Sequence, residues 1–465
     1  MVADAGEVAE QGVDPHDDPS MPRRALLRNI VVLAVALPAA AFALIMVGEL
    51  VPDRLVAESL FDAAQAGQLD TNSYPPGLIA SQVDGFTDCI GLTIGLGDLP
   101  GRNIVSSAIA GQTLWQCEDA VPALEAWATG DGALERQTDY FRYWHGYSAF
   151  LRPSIAFLGL PATRVLVMAA LGLALFGLAR SVARVHGRAV ATVLLAPFVL
   201  TSDFVDLPYA LPHAFGVLGG LTTAWVANAV AARNVRPWPV IAVSATSGAA
   251  VVVFDLLNSA PGLWSLCSFV VAAAAARRQV GWTLFGTTAL AAGSWIVGYA
   301  WTWGVKWLIS IPVFGFERVR DTVDYTVNNR LTTETGELDL TFGETIRRNV
   351  VFWRDQPMTG WVVVATVVVV AVVWWRRRRR PGLVVRGLDR SIVAATVVIV
   401  LVWYEVLRNH SQTHTFFTYR ALPLAFGILA AAAVLPMRRI RSDVADSGGP
   451  PALATEFGAD HVEGA

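Results

Sequence analysis

The sequence predicts an all-α polytopic membrane protein of about ten transmembrane helices, and three observations predict it. Hydrophobic residues make up 54% of the 465 positions, more than the surface of a soluble chain of this length can hide. The mean hydropathy is +0.47, and the apolar residues come in blocks of membrane-spanning length. Arginines recur in every second loop, the signature of loops kept on the cytoplasmic side. The formal net charge of -3 says nothing about partners, because the basic residues are segregated in short clusters, and nucleic acid is not expected.

Residues 1–26 read as an acidic cytoplasmic tail, and Arg23, Arg24 and Arg28 precede a first span that ends near residue 51. This run is too long for a signal core and lacks an A-x-A site, so it is expected to be retained. Residues 52–153 form a long polar segment expected to hold interfacial helices. Spans two to seven fall between 154 and 305, at about 155–179, 189–203, 208–231, 238–256, 260–276 and 282–305. A second outer segment covers 306–357. The last three spans, about 359–375, 391–407 and 419–436, lie within 358–441, and 442–465 reads as a second cytoplasmic tail. The basic loops contain Arg180, Arg184 and Arg188, then Arg233 and Arg236, Arg277 and Arg278, Arg376–Arg380 with Arg386, and Arg438, Arg439 and Arg441. Both termini are therefore expected in the cytoplasm of a bacterial cell, with the elaborated face outside the inner membrane.

Nearly all polar residues that are neither anchors nor tails fall on that outer face. Asp84 and Asp88, in V-D-G-F-T-D-C, stand four apart, so a helix would stack both carboxylates on one side, and Val83, Phe86 and Ile90 would form a stripe for the membrane surface. Two acids there can hold a divalent cation (Mg2+, Mn2+ or Ca2+), or one can act as a base. Cys89 and Cys117 share the same segment and can pair in an oxidising compartment. Cys267 lies within a span. In D-Y-F-R-Y-W-H-G-Y, the residues Arg142, Tyr143 and His145 suit contact with a phosphate at headgroup level. Lys306 sits between tryptophans at a span end. The 408–420 segment adds Asn409, His410, His414, Tyr419 and Arg420; H-x-x-x-H without a glutamate is weak support for zinc, and Arg420 at a span start calls for an anionic partner.

The motifs D-G-F-T-D (84–88), R-Y-W-H-G-Y (142–147) and N-H-S-Q-T-H-T-F-F-T-Y-R (409–420) resemble those of a group of little-characterised bacterial integral membrane proteins. There F-D-L-L-N (254–258) departs, with Asn258 where a threonine is expected. The architecture is similar to the GT-C class of glycosyltransferases, many-span enzymes whose long first outer loop meets a polyprenyl-phosphate-linked sugar. That resemblance implies a GT-C-like fold and transfer of a sugar, by analogy arabinofuranose, to an envelope glycan, lipid or protein. In that class the essential acid often follows the first span directly, where this chain has Glu49 and Asp53. The base therefore stands between Asp84 or Asp88 and Asp53. The proposed chemistry needs a carboxylate to deprotonate the acceptor hydroxyl and cations to stabilise the leaving phosphate, with Asp84 and Asp88 as catalytic or metal-binding residues and Arg142, Tyr143, His145, Lys306, Asn409, His410, His414, Tyr419 and Arg420 around the substrate. The competing readings are a polysaccharide ligase or polymerase, a flippase or transporter of an envelope precursor, and a non-catalytic scaffold.

Overall fold

Helix α1 (Arg23–Gly48) enters as a rod of 26 residues, about 39 Å at 1.5 Å per residue and enough to cross a hydrocarbon core. The computed structural model describes residues 21–69, 71–78, 82–97, 103–130, 138–255, 257–331, 338–339, 341–378 and 387–436. Residues 1–20 and 442–465 of the proposed tails, Arg379, Arg380 and Arg386 of the basic loop, and Arg438, Arg439 and Arg441 lie outside the described residues, whereas Arg23–Leu26, expected in the first tail, already belong to α1.

The segment expected to lie outside folds into a layer of its own, called the outer layer below: α2 (Asp53–Gln65), α3 (Gly85–Leu92), α4 (Ile104–Ala110), β1 (Gln112–Thr113), α5 (Cys117–Thr129) and β2 (Thr138–Asp139). Local signals explain the starts. Asp84 caps α3 by accepting the Thr87 N–H at 3.0 Å, and Asn103 and Ser106 form a reciprocal capping box on α4. Val56, Ala57, Leu60 and Ala63 bury one face of α2. The Cys89–Cys117 disulfide is formed and ties α3 to the start of α5, with Cα atoms 5.2 Å apart. One expectation fails here: Val83 and Ile90 are buried within the layer and Phe86 packs edge-on against Trp115. This stripe finds protein partners instead of the membrane surface.

The helices that follow are α6 (Ser148–His186), α7 (Arg188–Thr201), α8 (Leu211–Arg233), α9 (Pro237–Phe254), α10 (Ala260–Ala275) and α11 (Gly281–Phe314). The second outer segment contributes α12 (Phe316–Leu331) and α13 (Glu344–Arg354). The chain ends with α14 (Thr359–Arg378), α15 (Gly387–Ala394), which runs on through a 3-10 turn into α16 (Val398–Val406), then α17 (Arg408–Thr413), α18 (Thr415–Thr418) and α19 (Ala421–Val434). Seven helical segments among the described residues are long and apolar enough to cross a membrane. Each of the ten expected spans falls on helix, but α7 and α10 have only 14 and 16 residues, about 21 and 24 Å against a core of about 30 Å.

Two departures from the expected boundaries matter for the site. Helix α6 begins at Ser148 and breaks at Gly159, whose φ is +78° and which is followed by Pro161; this kink carries Arg164 to the outer layer. Helix α11 does not stop near residue 305 but continues to Phe314, so Lys306 is a helical residue, fully buried.

Arg152 registers the outer layer on the bundle. Its guanidinium donates to the carbonyls of Gly48 (2.8 Å), Ile94 (3.0 Å) and Val51 (2.8 Å) and ion-pairs with Asp53. These acceptors span the end of α1, the loop after it and the end of α3, so one side chain joins three parts of the chain.

Candidate functional site

Asp88 lies in the first turn of α3, whereas Asp84 is the cap just before it and not a helical residue, so the two acids are not stacked on one helix as expected, and their surroundings differ. Asp88 is fully committed: Oδ1 accepts the Leu211 N–H at 2.8 Å and Oδ2 accepts Arg164 Nη2 at 3.0 Å. Burial, which outweighs Arg164, pushes its carboxyl up to about 6. Asp88 and Arg164 line a cleft of 770 Å3 between the outer layer and α6, walled by Leu69, Pro76, Leu160, Met168 and Tyr209.

Asp84 is equally buried, but after capping α3 with Oδ1 it leaves Oδ2 with an off-axis neighbour, His213 Nε2 at 3.0 Å. Arg420 Nη1 lies 3.1 Å from His213 Nδ1, and a guanidinium can only donate. The His213 proton must therefore be on Nε2, where it is shared between Asp84 and the Asn258 amide, 2.7 Å away. With that proton in place, the amide presents its oxygen. Burial opposes ionisation of Asp84, yet the His213 ring and the Thr87 N–H hold its carboxyl below the ordinary value.

Above Asp84 runs a closed circuit of contacts between aromatic and cationic side chains. Tyr74 stacks with Phe86, Phe86 meets Trp115, Trp115 meets Tyr140, and Tyr140 meets Tyr143. Arg330 Nη2 lies 3.3 Å from the Tyr143 hydroxyl and Nη1 2.6 Å from His410 Nδ1. The circuit returns through His414 and Phe416 to Tyr74. Arg142 stands over the Tyr140 ring at 4.3 Å and over Tyr143 at 5.6 Å. Burial drives the His410 imidazole well below its usual range and His414 down to about 4, so both rings are neutral near pH 7.

Several expected substrate contacts have other work. The His145 ring is buried between the Tyr140 carbonyl (2.7 Å) and the Tyr147 hydroxyl (3.1 Å), and burial pushes it down to about 3. It is a neutral strut in a left-handed turn, φ +55°. Lys306 donates to the Ile109 carbonyl at 2.8 Å and lies beneath the Trp144 ring. The Tyr419 hydroxyl bonds to Asp203, and Asn409 accepts from Thr413 at 2.9 Å. Asp53 is held by Arg152. A cation shared by Asp84 and Asp88 would have to displace Arg164 and the Leu211 N–H from Asp88. Among the described residues no group of three or more His, Cys, Asp or Glu side chains is arranged to hold one.

The structure thus brings Asp84, Arg142, Tyr143, His410, His414 and Arg420 into one neighbourhood and adds His213, Arg330 and Arg164, none of which the motifs singled out. Arg164 had a signal, a charge inside an expected span, which marks a site by default. His213 and Arg330 had none, since a histidine after a span-opening proline and one arginine among several on a polar helix look ordinary. No family model, no curated protein and no solved structure matches this chain.

Proposed function

We propose that the protein is a glycosyltransferase of the cell envelope, with ten spans in a GT-C-like arrangement, both termini in the cytoplasm and its active face extracytoplasmic in the bacterial inner membrane. It transfers a sugar, arabinofuranose by analogy, from a polyprenyl-phosphate donor to a glycan, lipid or protein acceptor. One observation carries the reading: of the four carboxylate oxygens of Asp84 and Asp88, only Asp84 Oδ2 lacks an in-line donor among the described residues, and it lies beside rings and guanidinium groups on the outer side of the bundle. The Cys89–Cys117 pair in the same layer supports an oxidising face.

Asp84 accepts the proton of the acceptor hydroxyl. The acceptor oxygen attacks the anomeric carbon as the bond from that carbon to the phosphate oxygen breaks, and the electron pair leaves with the phosphate. A transition state with oxocarbenium character acidifies the attacking hydroxyl late, so a weak base suffices. His213, backed by Arg420, fixes the Asp84 carboxylate, while Asp88 anchors α3 to the head of α8. A Mg2+, Mn2+ or Ca2+ ion arriving with the donor phosphate would meet Asp84 Oδ2, and no step depends on it.

The test is transfer of radiolabelled sugar from a panel of polyprenyl-phosphate donors in membranes at equal protein level. Asp84→Asn should lower the rate about a hundredfold or more, and Asp88→Asn clearly less. The pH profile separates the two acids. With Asp84 as base the rate holds as pH falls through 6, because its carboxyl stays ionised there. An acid limb at about 6 that disappears in Asp88→Asn would transfer the role to Asp88. If no donor on the panel is consumed, the flippase reading takes its place.

A further inference from the structure

The two outer segments meet at Tyr143, and the charges there do not balance. Arg330, from α12, bonds only to a neutral imidazole nitrogen and a phenol. Arg142, from the first outer segment, stands over two phenol rings, and its buried Nε has no hydrogen-bond partner. Among the described residues neither guanidinium has a carboxylate within ion-pairing distance, although both are at least half-buried. Bringing a cation out of water costs several kcal/mol unless an anion compensates it. Arginine is also the side chain suited to bidentate contact with phosphate. We infer that Arg142, Tyr143 and Arg330 form an anion site that takes a phosphate ester, bridging the two outer segments.

The neighbouring groups fit this occupant. His410, neutral with Nδ1 accepting from Arg330, orients the guanidinium without cancelling its charge. Burial works to raise the Tyr143 phenol, yet Arg330 and Arg142 pull it below its ordinary value, as expected where positive potential is uncompensated. Arg142 also lines a polar pocket of 600 Å3 with Phe141, Arg318 and Tyr325, but Asp139, Glu317 and Asp321 line it too, so the pull on an anion comes from Arg142 and Arg330 and not from this pocket. The identity of the occupant rests on the glycosyl-transfer reading, while the site itself does not. When the sugar leaves its carrier, a phosphodiester with one negative charge becomes a monoester approaching two, and two unpaired guanidinium groups favour the product charge over the reactant charge.

The experiment measures binding to the full chain in detergent by three probes: undecaprenyl phosphate, dioleoyl phosphatidate and inorganic phosphate. Wild type should bind undecaprenyl phosphate, and Arg330→Gln and Arg142→Gln should each weaken it at least tenfold, with Arg330→Lys between. Phosphatidate bound as tightly as the polyprenyl ester would assign the site to a general lipid headgroup, and inorganic phosphate bound as tightly would assign it to the free anion; both keep the anion site. The unliganded Arg330→Gln protein should melt no lower than wild type, because an uncompensated cation has been removed. A purely structural arginine would give the reverse. Wild type binding none of the probes, or both glutamine variants binding as wild type does, overturns the site. Loss of transfer in Asp84→Asn beside normal binding in Arg330→Gln would leave the enzyme reading standing and the anion site gone. Binding lost in Arg330→Gln with no transfer by wild type would do the opposite.

Discussion

The helical bundle and the outer layer are held together by different physics. In the bundle, close approach does the work. Helices α9 and α11 cross where Gly248 faces the Trp295 carbonyl and Gly298 faces the Ala245 backbone, and a Cβ on either glycine would collide with main chain. Every residue of helix α10 except Trp264 is buried, alanines and small residues included. In the outer layer the elements are short and their cores small, so caps, a disulfide and the Arg152 clamp supply the order. The difference teaches where each region is vulnerable: the bundle to added volume, the layer to lost polar or covalent ties.

The largest expected effect breaks the bundle. Gly298→Val should cost about 3 kcal/mol, since the opposing atoms are backbone and cannot yield; the check is the fraction of folded protein in detergent on heating, and wild-type resistance would mean that α9 and α11 can separate freely. Next comes the disulfide. Cys117→Ser should destabilise the outer layer by about 2–4 kcal/mol while leaving the helices intact, so limited proteolysis should cut within 52–147 first and spare the spans. Simultaneous digestion of both regions would show that they unfold as one unit. The smallest effect sharpens the contrast: Asn103→Ala, which removes the α4 cap, should cost about 1 kcal/mol. It should speed amide exchange in α4 and not in α9.

The same contrast explains what could be seen in the sequence. A membrane span must be apolar along its own length, so every expected span lands on helix. Span ends are less visible, because α6 and α11, with 39 and 34 residues, are longer than the apolar runs that announced them. The outer layer is built by contacts between residues far apart in the chain, and no local pattern announces them. The spacing of Asp84 and Asp88 predicts one helix face, but Asp84 is the cap outside α3, and neither that nor the different states of the two acids could be read from it. Those come from Arg164, 76 residues beyond Asp88, and His213, 129 beyond Asp84. His145 misled for a related reason: an aromatic, basic run at a span entry reads as a headgroup contact, whereas the ring is sealed inside its own turn.

The Cys89–Cys117 bond joins the residue directly after Asp88 to the helix that closes the layer. Forming it is an oxidation, which needs an electron acceptor and is disfavoured in a reducing compartment. A chain with the pair reduced would keep its apolar helices yet lack the covalent tie between α3 and α5 that constrains the stretch carrying both acids. Placement of the two acids is thereby tied to the oxidation of one cysteine pair.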